Sequence, residues 1–390
     1  MPNSLSHEMQ RRPNWLQIVT NTVDQYDDPI HGVQKDAIQN GKDAIPSVGR
    51  KKDDTLKEDY VKKNWKFSFE LKEIILRGEG TVRALIMTDF GTTGLMGERR
   101  VGDFGPDEEI PLDERWARFE SYAMANEGGQ TLGARGQGKF VFVWASNKKK
   151  IIYDTRTING KYRVGYTTVN VGQSPVFAWD GEEGEKWIRE ECSLDPVHPD
   201  GTSGTRIIIV DPNEDLVSRV RSGLFLENIQ ETWWPFIRDF GACIEVIVDG
   251  VTSVATIPDL IKILQSNKDD VNIKHWNKDG LKFRFGQWTG KEYAIKEFRI
   301  ASIGSGNLPD AYRGIAIFRG GMKIQAVQPL YGYEFESRII GYVLLDPKGD
   351  EKLREVEKPS HYEFNNSGIW KKLEAIIKEE AKKFGVEKLG

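Results

Sequence analysis

The 390-residue chain carries 38% hydrophobic and 29% charged residues with 11 tryptophans, which excludes a disordered or low-complexity protein and leaves room for two domains with separate cores. Its formal net charge of −4 calls for no nucleic-acid partner, and two widely separated cysteines, Cys192 and Cys243, argue against a zinc site or a disulfide framework. No apolar run is long enough to span a bilayer and Met1 to Arg12 lacks a secretory apolar core, so a cytoplasmic protein with no membrane partner is expected.

Trp15, Ile18, Val19 and Val23 recur at helical spacing between Pro13 and Tyr26, and a second helix is predicted from about Val33 to Ala44, closed by Pro46. Residues 47–64 read as a loop or frayed helix. Trp65, Phe67, Phe69 and Leu71 alternate as in a half-buried strand, and Val82 to Thr88 forms a second strand ending at Asp89. A Gly-rich, charged stretch with one helix, Glu114 to Ala125, fills 94–138 and reads as a mobile cover over a site or as disorder. Phe140 to Ala145, Lys150 to Thr155, Arg163 to Val169 and Arg206 to Val210 read as strands, and the run Lys148 to Lys150 as a solvated turn or strand edge. This half is expected to be α+β, a helical layer over a mixed sheet. Leu224 to Ile237 is an aromatic-rich helix joining the halves. Beyond it Cys243 to Val248, Lys282 to Gln287, Gly314 to Phe318 and Arg338 to Leu345 read as strands, and Ile369 to Phe384 as a C-terminal helix.

Four elements carry chemistry. In the helix Asp36 to Ala44, residues Asp36, Asn40 and Asp43 share one face. An Asn carboxamide oxygen suits Mg²⁺ bridging phosphates, and a carboxylate one turn earlier can polarise a water; alone, the pattern is also that of an ordinary amphipathic helix. Asp89 ends an apolar strand before the turn Phe90-Gly91-Thr92-Thr93-Gly94, where a carboxylate can accept from an exocyclic amine and the glycines let the backbone pass close to a ligand. Gly133-Ala134-Arg135-Gly136-Gln137-Gly138-Lys139-Phe140 is a Gly-rich loop able to cradle phosphates, and is neither a Walker loop nor a strand-first dinucleotide fingerprint. Gly201 to Ile207 brings a small hydroxyl, Thr205, into a strand.

In order and spacing these elements resemble the motif series of the GHKL ATPase superfamily, the class of gyrase, heat-shock chaperone and MutL ATPases. The resemblance implies a Bergerat-fold domain over residues 1–222 that binds ATP and Mg²⁺, with Asp36 as the water-activating base and Asn40 as the metal ligand. It further implies Asp43 in the surrounding hydrogen-bond network, Asp89 and Thr205 reading adenine beside Gly91 and Gly94, and phosphates held by Gly133, Arg135, Gly136, Gln137, Gly138 and Lys139. Residues 95–132 would form the ATP lid.

Two departures stand out: Asp36 occupies a position where hydrolysing members have Glu, and the turn at Thr92-Thr93 holds one extra residue. The first places the carboxylate about one methylene farther from the phosphate, which points to slow hydrolysis.

In residues 223–390, Gly314 to Ile324, Ile339 to Val343 and Lys358-Pro359-Ser360-His361 resemble the α/β transducer domain of chaperone, MutL and MORC proteins, where a base reaches the γ-phosphate. Lys358, His361, Lys323 and Arg319 are the candidates.

The expected function is an ATPase that couples nucleotide-dependent lid closure and homodimerisation to a partner effector protein or DNA, with a bacterial antiviral-defence or DNA-transaction setting suggested by analogy. The alternative is a non-catalytic interaction protein using ATP as a structural or regulatory ligand. A histidine kinase ranks below both, because no His-bearing dimerisation helix precedes the motifs.

Overall fold

The computed structural model describes residues 15–105, 108–121, 138–169, 176–266, 271–273, 281–288, 295–303, 306–328, 336–358, 362–366 and 368–389. The chain divides into two compact units, Met1–Glu227 with Phe240–Ala255, and Asn228–Asp239 with Thr256–Gly390. Among the described residues no helix is long and apolar enough to cross a membrane.

The first unit opens with helices α1 (Trp15–Val23), α2 (Pro29–Asp43) and α3 (Glu58–Asn64). Helix α2 starts where Asp28 accepts from the backbone N–H groups of Ile30 and His31 at 3.1 and 3.2 Å, with Pro29 supplying the first helical residue. Strands β1 (Lys66–Leu76) and β2 (Gly80–Phe90) follow as an antiparallel hairpin in which Phe67 lies opposite Asp89. Then come α4 (Arg115–Glu120), α5 (Gly138–Ala145), β3 (Lys150–Arg156), β4 (Tyr162–Thr168), β5 (Val176–Asp180), α6 (Gly181–Cys192), β6 (Gly204–Val210) and α7 (Glu214–Ser222). Helix α8 (Leu224–Phe240) begins in this unit, and its residues 228–239 belong to the second. Strands β7 (Cys243–Val248) and β8 (Val251–Val254) close the unit, joined at Asp249 and Gly250, both at positive φ as a type I′ turn requires.

The eight strands form one mixed sheet in the order β5-β4-β3-β6-β2-β1-β7-β8, with β1 and β7 parallel and the other pairs antiparallel. Because side chains alternate along a strand, the two faces carry different residues. One face collects Ile74, Leu76, Ala84, Ile86, Ile152, Val164, Ile208 and Val210 under Ile188 and Cys192 of α6. The other carries Phe67, Asp89, Tyr153 and Thr205, and there α2 sits so close that a Cβ on Gly41 would lie 3.0 Å from the Phe67 ring and 3.2 Å from Asp89 Cβ. The α+β class with a large mixed sheet is therefore as expected, and α6 adds helical cover on the opposite face.

Residues 140–145, expected as a strand, form the body of α5, which packs against α1 and α2. Phe140, Val141, Phe142, Val143 and Ala145 are all buried. A short run that is apolar all round cannot reveal its period, so surroundings on every side decided for helix. Lys148 and Lys150 both pair with Glu79, at 2.5 and 2.7 Å, and Lys149 turns back at positive φ to donate to the Trp144 carbonyl, so the run is a surface turn.

The second unit holds α9 (Asp259–Gln265), β9 (Val271–Ile273), β10 (Leu281–Trp288), β11 (Ile295–Ile303), β12 (Gly314–Arg319), β13 (Met322–Val327), β14 (Ile339–Leu345), α10 (Pro347–Arg354) and α11 (Gly368–Leu389). Its sheet runs β13-β12-β14-β11-β10-β9, with β12 and β14 parallel. Trp234 from α8 packs edge-on against Phe318 and Tyr342 in a core with Leu260, Leu264, Ala301 and Ile340.

Candidate nucleotide site

Strand β2 ends at Asp89, which is 8% exposed. Its Oδ1 accepts from Thr92 Oγ1 at 2.5 Å and from the Thr205 backbone N–H at 3.0 Å. Among the described residues no hydrogen bond falls on Oδ2. Burial raises the Asp89 pKa to about 6, against the pull of those two donors and of the Arg115 charge. The carboxyl is thus easy to protonate and hungry for a further donor.

The turn after Asp89 is held from several sides. Gly91 N–H donates to Ser203 O at 2.9 Å, Tyr60 Oη donates to Gly91 O at 2.9 Å, and Thr93 N–H donates to Ala44 O at 2.8 Å, tying the turn to the end of α2. Gly91 sits at φ 69°, and a Cβ there would lie 2.1 Å from Asn64 O. Only glycine satisfies both the backbone angle and the contact. Gly94, at φ 68°, faces Thr155 in the same way.

Strand β6 meets the turn at Gly204, where an added Cβ would lie 2.1 Å from Asp89 O and 2.3 Å from His198 Nε2. The buried His198 ring donates through Nε2 to Asp89 O at 2.7 Å, and burial lowers its pKa, as a neutral donor requires. Thr205 Oγ1 is 3.1 Å from Thr155 Oγ1. Thr155 spends its hydroxyl hydrogen on Gly204 O at 2.8 Å, so Thr205 is the donor of the pair and keeps its lone pairs as acceptors.

On α2, Asp36 is 6% exposed and its Oδ2 accepts from Tyr26 Oη at 2.8 Å. Asn40 is exposed, and Asp43 is half-buried with an enclosed Oδ2 that makes no hydrogen bond among the described residues. Gln39, between them, is 1% exposed, and neither Nε2 nor Oε1 has a partner there. Unsatisfied buried polar atoms are uncommon in folded proteins, and a cluster of them on one helix face offers bonding partners to water or to polar ligand atoms.

Residues 95–105 and 108–121 follow the turn and bond back to it and to β3, Arg115 to Thr93 and the Leu95 N–H to Thr155 Oγ1. Trp116, fully buried, packs on Tyr153 with ring centroids 5.2 Å apart, and its backbone N–H donates to Met96 O at 2.8 Å. Arg115 donates from Nη1 to Thr93 Oγ1 at 3.0 Å and is attracted by both Asp43 and Asp89, while burial lowers its pKa.

Of the residues singled out from sequence, Asp36, Asn40 and Asp43 lie on α2, Asp89 in β2 with Gly91 and Gly94 in the turn after it, and Thr205 in β6, where its N–H reaches Asp89. Gly138 opens α5. Lys139 is buried, its Nζ donating to the carbonyls of Phe119 and of Ser121, the latter at 2.5 Å. Burial lowers its pKa to about 7, opposed by the charge of Glu120. Gly133, Arg135, Gly136 and Gln137 lie outside the described residues, as does His361. Within the second unit Lys358 pairs with Glu363, Lys323 with Glu231, and Arg319 with Glu357 and Asp350.

Sequence reasoning does not find Tyr26, Gln39, Arg115, Thr155 or His198. Gln39 alone leaves a trace, since it falls on the arc of α2 already marked by Asp36 and Asp43. A small cavity of about 20 Å³ lined by Glu231, Trp234, Tyr312 and Lys323 belongs to the second unit and has room for about one water.

No protein-family model and no curated protein matches the chain. Among solved structures, the chain is similar to the 43K ATPase domain of Thermus thermophilus gyrase B in complex with an aminocoumarin. The identity is 12%, the match covers 90% of this chain and 85% of that chain, and the TM-score is 0.38.

Proposed function

We propose that the first unit binds ATP with Mg²⁺ between α2 and the turn after β2, hydrolyses it slowly, and couples lid closure and homodimerisation to a partner effector protein or DNA. The observation that carries this reading is the pairing of a buried, donor-seeking carboxylate at Asp89 with polar atoms of Gln39 and Asp43 that have no partner among the described residues, on the helix packed against it.

Asp89 Oδ2 suits the exocyclic amine of adenine. A guanine would present its O6 acceptor to the same carboxylate and be repelled, so the site selects the base by an unpaired-acceptor penalty. The exposed carboxamide of Asn40 offers one hard oxygen. Among the described residues no three His, Cys, Asp or Glu side chains converge on one point. Asn40 therefore fits a Mg²⁺ that takes its remaining ligands from phosphate and water, and that ion would neutralise phosphate charge.

Asp36 would accept the proton of the attacking water, with Tyr26 fixing the orientation of its carboxylate. Arg115 and Trp116 lie in the segment after the turn, and access for a nucleotide to the buried Asp89 requires that segment to move.

A second reading, ATP binding without turnover, is favoured by the short Asp36 side chain and by the Tyr26 bond that already engages one of its oxygens. Titration calorimetry with a non-hydrolysable ATP analogue and Mg²⁺, against the GTP analogue, tests binding. Steady-state ATP turnover of the parent and of Asp36→Ala tests chemistry. Binding of the ATP analogue alone with turnover lost in Asp36→Ala is expected. Binding without turnover selects the second reading, and no binding of either analogue overturns both.

A further inference from the structure

At about 100° per residue, Asp36, Gln39, Asn40 and Asp43 fall within an arc of about 100° on α2, so Gln39 belongs to the face that carries the candidate site residues. It is the most enclosed of the four, at 1% exposure, and among the described residues both its carboxamide atoms lack hydrogen-bond partners, as does Asp43 Oδ2 one turn on. An enclosed carboxamide with nothing to bind is a stability defect, and the neighbouring orphan oxygen places a second such defect beside it. Two adjacent defects on one face are relieved together by a single polar ligand.

Resting on the nucleotide reading above, we infer that Gln39 is a ligand-contacting residue of the α2 site, its Nε2 donating to a phosphate oxygen of a bound nucleoside triphosphate and its Oε1 accepting from a water there. Along the helix axis Gln39 stands about 4.5 Å from Asp36 and about 6 Å from Asp43. Asn40, the residue next to it, carries the oxygen assigned to Mg²⁺ in the nucleotide reading, so the phosphate is the part of the nucleotide within reach of Gln39. A neutral amide donor suits that position, because it adds a hydrogen bond to a phosphate oxygen with no charge to repel it.

The test is Gln39→Met, which keeps length and helix propensity while removing both polar atoms, with Gln39→Glu as a second variant. Calorimetry with the Mg²⁺-loaded non-hydrolysable ATP analogue and with adenosine is paired with thermal unfolding in the absence of nucleotide. The analogue should bind Gln39→Met about tenfold more weakly and Gln39→Glu more weakly still, adenosine should bind both as it binds the parent, and the Tm of Gln39→Met should be unchanged or higher. Analogue binding by both variants at parental affinity overturns the inference and leaves the nucleotide reading intact. A fall in Tm of both variants, with adenosine and analogue affinity lost alike, also overturns it, because the carboxamide then serves the fold. A parent that binds no triphosphate removes the nucleotide reading and this role with it.

Discussion

The Thr205 backbone N–H donates to Asp89 Oδ1 at 3.0 Å, joining the ends of two strands whose residues stand 116 positions apart. That bond and the one from Thr92 fall on a single carboxylate oxygen and pull the Asp89 pKa down, but burial outweighs them and raises it to about 6.

The pH dependence of Asp89 follows from that shift. The folded protein retains a proton that the unfolded chain releases above about 3.8, so stability falls as pH rises from about 4 to 6 and stays lower above that window. Asp89→Asn keeps an oxygen for Thr92 and Thr205 without the charge. It should be more stable than the parent at pH 7.5 by roughly 1–3 kcal/mol, with the difference vanishing near pH 4, and should lose binding of the ATP analogue. Urea unfolding at the two pH values checks this, and equal stability of variant and parent at pH 7.5 would contradict it.

Tyr26→Phe deletes the hydroxyl that donates to Asp36 Oδ2. A hydrogen bond to a buried charged group contributes roughly 1.5–3 kcal/mol, so the variant should unfold at lower denaturant concentration. Turnover should fall while affinity for the ATP analogue changes little, since the bond orients the carboxylate and not the nucleotide. An unaltered turnover rate would show that Asp36 needs no such support.

Gly204→Ala places a methyl 2.1 Å from the Asp89 carbonyl oxygen and 2.3 Å from His198 Nε2. Neither the backbone of β2 nor a buried ring can yield without shifting β6, and a cost of about 3 kcal/mol is expected. Because Thr205 moves with Gly204, analogue affinity should drop too. Full affinity in this variant would separate the β6 contact from binding.

Asp154 serves as a contrast on the opposite face of the sheet. Fully buried, it accepts from Arg206 Nε and Nη2 at 2.9 and 2.8 Å, from Tyr162 Oη at 2.9 Å and from Val197 N–H at 2.9 Å. Arg206→Leu leaves that carboxylate without its cation and should cost about 3–5 kcal/mol. Analogue affinity, measured well below the new midpoint, should remain parental. A combined loss would place Arg206 in the site.

Much of α2 is legible in the residue pattern: Pro46 marks its limit and the helical period puts Asp36, Asn40 and Asp43 together, but the helix begins at Pro29, four residues ahead of the expected Val33, because the Asp28 cap sets its start. The Asp89 turn is legible through its glycines, which positive φ at Gly91 and Gly94 explains. Helix α6 carries a helical period in Gly184, Ile188 and Cys192, which its glycines and run of Glu residues obscure, and it is held by burial of Ile188 and Cys192 against the sheet. Helix α5 reads as a strand because Phe140 to Ala145 is apolar on every side.

The features dictated by residue order alone are local: the helix that displays the polar face, the strand that ends in a carboxylate, and the glycines that allow the turn, all set by interactions within a few residues. Folding of the whole unit is what brings Thr205 and His198 to Asp89, Tyr26 to Asp36 and Arg115 to Thr93, and what encloses the carboxamide of Gln39 with no partner among the described residues. Those relations depend on burial and on strand register across long stretches of chain, and burial is a property of the assembled fold that no residue carries alone.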